Sequence, residues 1–405
     1  MLRWGYLPEC EAPVQGWHVE PFTNIATVIA GQSPPSDTYN DRGDGLPFLQ
    51  GNGDFSFSSP VPRLWCSAPA KTAIAGDTLM SVRAPVGEVN RADREYAIGR
   101  GLAAIRAKGC DPDFLYHGIQ RWRWSLQRVA QGTTFDAVTA RHFAQLSVCV
   151  PDDRSEQTAI ARVLESVDAV LERIRETIKR ARAFEGSLLE DAFADLDAPR
   201  LELRRFISDI RYGTSRASSD RTRGNPVLRI PNVVADRLTL ADLASVELPP
   251  PEVERLRLHD GDLLMVRTNG NPNYVGRSVV FRAPDARTWV YASYLIRVRL
   301  KGGLHPDFVN VFLGIERGRR ELLRRVTTSA GNHNINSNSI RLLQLPVPAD
   351  EDEQARIVEL ARACRQRVDA IEAKLRAIET LNDALMHDLL TGRVRVRDTM
   401  MAEAS

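Results

Sequence analysis

The fold of this chain is decided by two similar stretches, VCVPDDRSEQTAIARVLESVDAVLERI at Val148–Ile174 and LPVPADEDEQARIVELARACRQRVDAI at Leu345–Ile371. Gln157 in the first stretch matches Gln354 in the second, and this offset of 197 residues holds for over thirty positions. Each stretch starts with a short apolar run and a proline, and continues with the periodicity of an amphipathic helix. The repeat therefore predicts two equivalent long helices in one chain.

Apolar residues follow alternating steps of four and three along both copies, which is the heptad pattern of a coiled coil. Ser155 and Asp352 are the expected N-cap residues. Because both apolar seams have the same length, we expect the two helices to pair with each other. The alternative is that each helix packs separately on its own domain. The expected seam consists of Ile160, Leu164, Val167, Leu171, Ile174 and Ile178 in the first copy and Val368, Ile371, Leu375, Ile378, Leu385 and Leu389 in the second.

Composition and charge narrow the class of protein. The 405 residues, of which 43% are hydrophobic, are enough for two or three ordinary cores. We expect a cytoplasmic protein, since no window approaches the roughly 18 uninterrupted apolar residues of a membrane span. Basic and acidic residues balance in 1–150, basic residues exceed acidic ones by ten in 199–346, and acidic residues exceed basic ones by eight in 151–198 and 347–405 together. The acidic helices therefore favour protein partners over DNA.

Weaker echoes show that the segments before the two helices are also duplicated. AGQS (Ala30–Ser33) parallels YGTS (Tyr212–Ser215), and GDTLM (Gly76–Met80) parallels GDLLM (Gly261–Met265). The motif DPDFL at residues 111–115 parallels HPDFV at residues 305–309, in the same order. Short β-type runs separated by Gly, Asn and Pro turns predict a compact mixed α/β fold for each segment. The chain therefore reads as domain, long helix, domain, long helix.

In this arrangement the chain resembles the specificity subunit of type I restriction-modification systems. Besides the repeats, the resemblance is carried by GDLLMVRTNGN (Gly261–Asn271), VGRSVVF (Val275–Phe281) and LLTGRV (Leu389–Val394). It implies an α+β protein in which two mixed α/β target-recognition domains are separated by two long helices that form an antiparallel coiled coil, a pseudo-twofold repeat. The expected division is 1–150 for target-recognition domain 1, 151–198 for the central long helix, 199–346 for target-recognition domain 2, and 347–405 for the C-terminal long helix and tail.

The resemblance also implies the function and the partners. Such a subunit has no catalytic activity, and each recognition domain reads one half of a bipartite, asymmetric target in double-stranded DNA. It assembles with two methyltransferase (M) subunits and with restriction and translocase (R) subunits. No cofactor is expected on this chain; S-adenosylmethionine, ATP and Mg are expected on the partner subunits. For twofold-related readers, the two blocks of the target are expected about one turn of the double helix apart.

The candidate DNA-binding residues are polar side chains in the loops of both segments. Arg reads guanine and Asn or Gln reads adenine in the major groove, while Arg, Lys, Ser and Thr contact phosphates. In domain one the candidates are Ser33, Gln50, Asn52, Arg83, Arg121 and Arg123. In domain two they are Tyr212, Thr214, Arg216, Arg229, Asn232, Arg267, Asn269, Asn271, Asn273, Tyr274, Arg277, Asn332, His333, Asn334 and Asn336.

Each candidate has a structural alternative. The asparagines could serve turns, because Asn tolerates left-handed conformations. Trp122 and Trp124, which alternate with Arg121 and Arg123, could belong to a helix core rather than to a stacking platform. The basic run ERGRRELLRR at Glu316–Arg325 could be a solvated helix face or a phosphate-binding face.

Enzymatic readings lack their companion motifs. The sequence NPNY at Asn271–Tyr274 differs by one residue from the loop with which amino-methyltransferases hold a flipped adenine, but no cofactor-binding Gly-rich turn accompanies it. The sequence contains no GxxxxGK[ST] phosphate loop, and its cysteines and histidines lack the paired spacing of a metal site. We therefore expect no enzyme activity and no metal. The competing function is a coiled-coil scaffold for protein interactions without sequence-specific DNA binding.

Overall fold

The computed structural model describes residues 13–57, 59–130, 138–219, 223–233, 237–329 and 331–396. Its contacts divide the chain into two compact units. Unit 1 comprises the chain up to Glu176 and from Ala373 onward, and unit 2 comprises Thr177–Glu372. Each unit therefore contains one of the two duplicated domains together with part of both long helices. Among the described residues, no helix combines the length and the apolarity needed to span a membrane.

The first half of the chain is mostly β-structure, followed by a helix of 41 residues. In chain order its elements are β1 (Trp17–Pro21), α1 (Phe22–Ile25), β2 (Ala26–Ala30), β3 (Tyr39–Asn40), β4 (Leu46–Leu49), β5 (Leu64–Cys66), β6 (Thr72–Ala73), β7 (Thr78–Ser81), β8 (Val89–Arg91), β9 (Tyr96–Ile98), β10 (Leu102–Ala107), α2 (Pro112–Ala130), α3 (Ala140–Phe143), β11 (Ser147–Pro151) and α4 (Arg154–Ala194).

The second half has the same organisation and ends in a helix of 40 residues. Its elements are β12 (Arg200–Glu202), β13 (Ile207–Tyr212), β14 (Asn225–Leu228), β15 (Ala244–Val246), α5 (Pro250–Leu256), β16 (Leu263–Val266), β17 (Thr268–Asn269), β18 (Ser278–Val280), β19 (Val290–Tyr291), β20 (Leu295–Leu300), α6 (Pro306–Gly314), α7 (Glu316–Leu323), β21 (Thr327–Ser329), β22 (Asn332–Asn334), α8 (Ser337–Arg341), β23 (Gln344–Pro346) and α9 (Glu351–Leu390).

The sheets confirm that the two domains share one fold. Unit 1 has a four-stranded antiparallel sheet in the order β2-β10-β7-β8, and unit 2 has its counterpart in the order β13-β20-β16-β18. A second sheet in each unit contains one parallel pair, β4 with β9 in unit 1 and β14 with β19 in unit 2. A two-stranded ribbon precedes each long helix, formed by β1 with β11 and by β12 with β23. The predicted α+β class with duplicated domains is correct.

The repeated glycine of AGQS and YGTS has a steric role that is the same in both units. An added Cβ at Gly31 would lie 2.2 Å from the carbonyl oxygen of Gly99, and one at Gly213 would lie 2.2 Å from the carbonyl oxygen of Tyr291. Both glycines directly follow the first strand of the four-stranded sheet. Because a side chain cannot be accommodated at such a distance, only Gly lets the two sheets of each domain approach this closely.

In unit 1 the N-terminal part of α4 runs antiparallel to the C-terminal part of α9. Ile160 and Leu164 share a buried cluster with Met386 and Leu389. Further along α4, Arg175 forms an ion pair with Glu379 at 2.7 Å. Since the contacts advance along α4 while they retreat along α9, the two segments are antiparallel, as the sequence predicted.

Unit 2 repeats this pairing with the other ends of the helices. Arg182 of α4 forms an ion pair with Glu372 of α9. Arg365 lies 4.0 Å from Glu185. Near the end of α4, Leu189 and Phe193 share a buried cluster with apolar residues of the first turns of α9, namely Ile357, Val358 and Ala361. The direction is again antiparallel.

The helix starts differ slightly from the prediction. The helices α4 and α9 begin at Arg154 and Glu351, so Ser155 and Asp352 lie inside the first turn rather than at the N-cap. The carboxylates one position before each helix cap it, because Asp153 accepts from the backbone N–H of Ser155 at 2.8 Å and Asp350 accepts from that of Asp352 at 2.9 Å. The hydrogen bonds from Ser155 also lower the pKa of Asp153 below its ordinary value.

Candidate nucleic-acid interface

Domain one contains an open polar cleft of about 560 Å³ beside the parallel strand pair. Gln50 follows β4 directly, and Asn52 lies in the adjoining turn. The cleft is also lined by Ser33, Arg83 and Arg100. The structure thus brings together four of the six residues predicted for domain one, with amide and guanidinium groups that suit base edges and phosphates.

The turn between β9 and β10 holds the cleft in shape. The backbone N–H of Gly99 donates to the carbonyl of Leu49 at 2.8 Å, which fixes the turn against the end of β4. Arg100, exposed at the tip of this turn, was not among the predicted residues. The sequence feature that could have indicated Arg100 is its position between two glycines. Glycines on both sides favour a tight turn, and such a turn exposes the charged side chain at its tip.

The other two candidates of domain one lie elsewhere. Arg121 and Arg123 belong to α2, and neither lines the cleft. The guanidinium of Arg121 contacts Nδ1 of His387 on α9 at 2.6 Å. Trp122 between them is buried and packs edge-on against Phe22, so for Trp122 the core alternative is correct. We therefore leave Arg121 and Arg123 out of the proposed DNA surface, because their helix does not line the cleft that holds the other four candidates.

In domain two the structure joins two candidate loops that are about 60 residues apart in sequence. The strand β17 pairs with β22, which pairs with β21, so Asn269 stands opposite His333 and Thr268 opposite Asn334. We name this three-stranded element the asparagine ribbon. It concentrates the predicted polar residues of RTNGN and GNHNIN on one small sheet. The imidazole of His333 lies 3.2 Å from Oγ1 of Thr328, its partner on the adjacent strand.

The asparagines of this region make turn contacts with their side-chain oxygens. Asn269 Oδ1 accepts from the backbone N–H of Asn271 at 2.9 Å, and Asn271 Oδ1 accepts from that of Asn273 at 3.0 Å. Asn336 is the N-cap of α8 and accepts from the N–H of Ser339. Turn chemistry thus accounts for these oxygens. Base contact by the amide groups stays a prediction.

Arg267 lies at the root of the asparagine ribbon, next to exposed aromatic rings. Its guanidinium carbon is 4.8 Å from the centre of the Tyr212 ring, a cation–π distance. The backbone N–H of Arg267 donates to the carbonyl of Tyr294, whose side chain is 58% exposed. Tyr274, on the neighbouring loop, is 41% exposed. Stacking on Tyr212 orients the planar guanidinium, which would otherwise lose rotamer freedom on binding. Tyr294 was not among the predicted DNA-binding residues, because a single Tyr within a β-type run is typical of a buried core position.

Four further candidates of domain two serve its internal structure. Thr214 is buried and its hydroxyl donates to Glu252 at 3.1 Å, and Arg216 also pairs with Glu252. Asn232 is 1% exposed, and its amide donates to the carbonyls of Thr239 and Ala241. Arg229 donates to the carbonyl of Asp242. We leave Thr214 and Asn232 out of the proposed DNA surface, because both side chains are buried and bonded within the domain, while Arg216, whose side chain is 54% exposed, and Arg229 stay predicted contacts.

The basic run on α7 is tied to the protein at several points. Arg317 contacts Glu190 at 3.5 Å, Arg320 contacts Glu316 at 3.6 Å, and Arg325 contacts Glu321 at 2.9 Å. Arg319 reaches the backbone of the loop that holds Tyr274. This face is therefore a network of local contacts, which the sequence could not distinguish from a phosphate-binding face.

The described residues hold no group of three or more His, Cys, Asp or Glu side chains arranged for a metal ion. The titratable cluster of unit 1 lies away from the cleft, between α2 and α4. There burial raises the pKa of Asp168 to about 6 and lowers that of His117 to about 3. These two groups lie 3.9 Å apart, and Arg91 next to them pairs with Asp113 and Glu165. The cluster joins helices and faces no candidate DNA contact.

Comparison with known protein sequences gives consistent matches. Residues 15–180 match the family model described as type I restriction modification DNA specificity domain. The putative type I restriction enzyme MjaX specificity subunit of Methanocaldococcus jannaschii is 37% identical over 175 residues, which cover 42% of this chain and 41% of that protein. The type I restriction enzyme EcoKI specificity subunit of Escherichia coli is 25% identical, with 92% of this chain and 85% of that protein covered.

Solved structures agree on the fold. The S subunit of a type I restriction-modification system from M. genitalium has a TM-score of 0.52 at 14% identity, with 92% of this chain and 96% of that chain covered. A chain from a structural study of complex assembly and conformational transition in a type I R-M system has a TM-score of 0.55 at 17% identity, with 95% and 100% covered. Both alignments extend over the two domains and the two long helices.

Proposed function

We propose that this chain is a specificity subunit of a type I restriction-modification system and that it reads a bipartite, asymmetric DNA target; the match of residues 15–180 to the specificity-domain model and the similarity to the EcoKI subunit support this. One observation carries the proposal. In each unit two of the candidate readers lie at the same edge of the four-stranded sheet, at the ends of its first and third strands in sheet order. Ser33 and Arg83 follow β2 and β7 in unit 1, and Tyr212 and Arg267 end or follow β13 and β16 in unit 2.

The two domains hold the same residue types in different arrangements, so the two blocks of the target should differ. Domain one presents Gln50 and Asn52 beside Arg83 and Arg100 in one cleft. Domain two presents Arg267, stacked on Tyr212, next to the asparagine ribbon. An amide matches the donor and acceptor pair of adenine and a guanidinium matches the two acceptors of guanine, so the bases that each domain reads depend on where these groups stand. The unlike arrangements therefore support asymmetry.

Selection from randomised DNA tests this function directly. The full chain, alone and with the methyltransferase subunits encoded beside it, is incubated with a pool of random duplexes, and bound DNA is sequenced. We expect two specified blocks separated by unspecified bases, and binding that weakens with salt at a slope of about −0.9 per phosphate contact. Binding without any sequence preference, or no loss of binding with salt, would instead favour the protein-interaction scaffold.

We also propose that the paired helices recruit two copies of one methyltransferase partner, and with it the restriction subunits, in the cytoplasm. Phe184 on α4 and Leu381 on α9 are 66% and 65% exposed, and they stand at equivalent positions of the repeat. A large apolar side chain exposed to this degree is typical of an interface anchor. Two equivalent anchors fit two identical partners. The chain itself would bind no cofactor and catalyse no step, while S-adenosylmethionine, ATP and Mg would be held by the partners.

Substitution of these anchors tests the scaffold. Phe184→Asp and Leu381→Asp, made singly, are each expected to remove one of two methyltransferase copies from the complex, because a charge at the centre of an apolar interface costs several kcal/mol. The double variant should bind none. Mass measured by light scattering gives the stoichiometry, and Val170→Asp, at a 44% exposed apolar position of the same helix, is the matched control. Full occupancy in the double variant would exclude this docking position.

A further inference from the structure

The loop from Asn271 to Gly276, between β17 and β18, begins with four exposed residues in succession, 271–274; we call it the recognition loop. Asn271 and Asn273 are exposed, and Tyr274 is 41% exposed. Its only deeply buried side chain among these six residues is Val275, which is 0% exposed. The loop closes with a hydrogen bond from the N–H of Tyr274 to the carbonyl of Asn271 at 3.1 Å. A loop with so little core of its own needs support from outside.

That support comes from α7, and first from Arg319. Its guanidinium donates to three backbone carbonyls of the loop: that of Val275 at 2.9 Å, that of Pro272 at 3.3 Å and that of Asn273 at 3.4 Å. Three acceptors on one loop can be reached together because the guanidinium is planar and offers five donors in a fixed fork. A lysine ammonium is a single point with three donors on a flexible stem, so it cannot span the same set.

The second support is steric. Gly276 has a φ of +75°, a backbone conformation that side chains rarely adopt. A Cβ added there would lie 2.3 Å from Cδ1 of Leu322, which is also on α7. The loop therefore rests on α7 through hydrogen bonds at Pro272, Asn273 and Val275 and through close packing at Gly276. The guanidinium of Arg277 also donates to the carbonyl of Asn273 at 3.1 Å, but the contacts from α7 come from a helix that presents no predicted base reader.

We propose that Arg319 is a positioning residue for DNA recognition by domain two. It holds the recognition loop in the conformation that meets the DNA, and its own charge contacts no phosphate. The proposal rests on the proposed function, since a loop must first read DNA for its position to matter. The neighbouring Arg320, paired with Glu316 on the outer face of the same helix, carries the same charge without any contact of this kind to the loop.

The test compares Arg319→Ala, Arg319→Lys and Arg320→Ala in the full chain. Each variant is assayed by selection from randomised duplexes and by the salt dependence of binding. For Arg319→Ala we expect the preferences of one target block to flatten, with affinity for the selected wild-type duplex about tenfold lower, as for the loss of one to two net hydrogen bonds. The other block and the salt slope should stay as in the wild type. Arg319→Lys should behave like Arg319→Ala, and Arg320→Ala like the wild type.

A direct phosphate contact gives a different pattern. In that case Arg319→Ala would weaken binding to all sequences alike and reduce the salt slope by about 1, while Arg319→Lys would keep both; this result would overturn the proposal. So would unchanged preferences in both Arg319 variants. If Arg319→Ala does not fold, Arg319→Lys decides the question alone, because it keeps the charge and loses only the fork. A wild-type chain that selects no sequence refutes the proposed function instead.

Discussion

The glutamine repeated in the two quoted stretches makes one equivalent hydrogen bond in each unit, from the backbone N–H just before the domain helix, and a second one that differs between the units. Gln157 accepts from the N–H of Asp111 at 2.9 Å and donates to the carbonyl of Pro151 at 3.1 Å. Gln354 accepts from the N–H of His305 at 2.9 Å and donates to the carbonyl of Gly303 at 3.1 Å. Each glutamine thus ties the start of a long helix to the residue just before α2 or α6. The repeat could be seen in the sequence, but this reason could not, because the partners are 46 and 49 residues away.

A second duplicated pair joins a buried aspartate to an arginine on the neighbouring strand. Asp77 receives two hydrogen bonds from Arg106, at 2.9 and 2.8 Å, and Asp262 receives two from Arg299, both at 2.7 Å. Both aspartates are 1% exposed and belong to the GDTLM and GDLLM motifs. A carboxylate buried to this degree requires such a bidentate partner. The charge of domain two is therefore partly internal and does not all face DNA.

Arg267→Ala tests the predicted base contact in domain two. We expect binding of the cognate duplex to weaken by about 1–3 kcal/mol and one block of the target to lose its preference. The matched control is Arg282→Ala, which removes a charge at the opposite end of the same sheet, where Arg282 pairs with Asp307 at 2.6 Å. Competition binding against duplexes altered in one block at a time gives the comparison. Equal losses in the two variants would show that Arg267 contributes only charge.

His117→Gln tests the buried cluster of unit 1 through pH. Burial holds the pKa of His117 at about 3, below its ordinary value of 6.5, so between these values the unfolded chain takes up a proton that the folded chain refuses. The free energy of unfolding therefore falls as the pH drops through this window. Asp168, with its pKa raised to about 6, acts in the opposite direction between about pH 6 and 4.

In His117→Gln the destabilisation at low pH caused by the buried histidine is removed, while the opposite effect of Asp168 on the free energy of unfolding remains. We expect urea unfolding to show a smaller loss of stability between about pH 7 and pH 4 in this variant than in the wild type. Stability at neutral pH is compared separately, because the substitution also changes packing. Parallel pH profiles in the two proteins would mean that His117 is protonated in the folded state.

At the scale of elements, the long helices were the most predictable part of the chain. All twelve predicted seam residues are buried or partly buried; Leu171 is 4% and Val368 is 6% exposed. A heptad repeat predicts burial directly, because every seam residue packs against the facing helix. The helix α7 was the opposite case. Its arginines look alike in sequence, and which of them reaches a loop, a helix or solvent is decided by tertiary contacts.

Charged residues in the seam should damage the helix pairing. Leu171→Asp and Val368→Asp each place a carboxylate in an apolar site, and we expect a loss of unfolding free energy of about 3 kcal/mol or more. Since the helices carry the proposed docking positions, methyltransferase binding should fall with the fold. The control is Val170→Asp at an exposed position outside the seam, which should leave the unfolding midpoint and methyltransferase binding nearly unchanged. Intact complexes from both seam variants would contradict the paired seam.

At the scale of the whole molecule, the sequence predicted four consecutive segments, whereas contacts group the chain into two units that each combine a domain with parts of both helices. The duplication was predictable because the offset of 197 residues is preserved over the helices. The DNA-facing surfaces proposed for the two domains were less predictable from the sequence. The loops of the two domains share little sequence, and only the common sheet order shows that the ends of β2 and β7 in unit 1 correspond to the ends of β13 and β16 in unit 2.

The division into units also has a consequence for the order in which a newly translated chain can fold. Unit 2 is one uninterrupted stretch, whereas the core of unit 1 includes Met386, Leu389 and Leu390. The first domain to leave the ribosome therefore waits for the last turns of α9, roughly 10–50 s after β11 at about 5–20 residues per second. During this interval Ile160 and Leu164 lack part of their cover. Nascent chains stalled shortly after Glu372 should resist protease in unit 2 and be cleaved along the first half of α4.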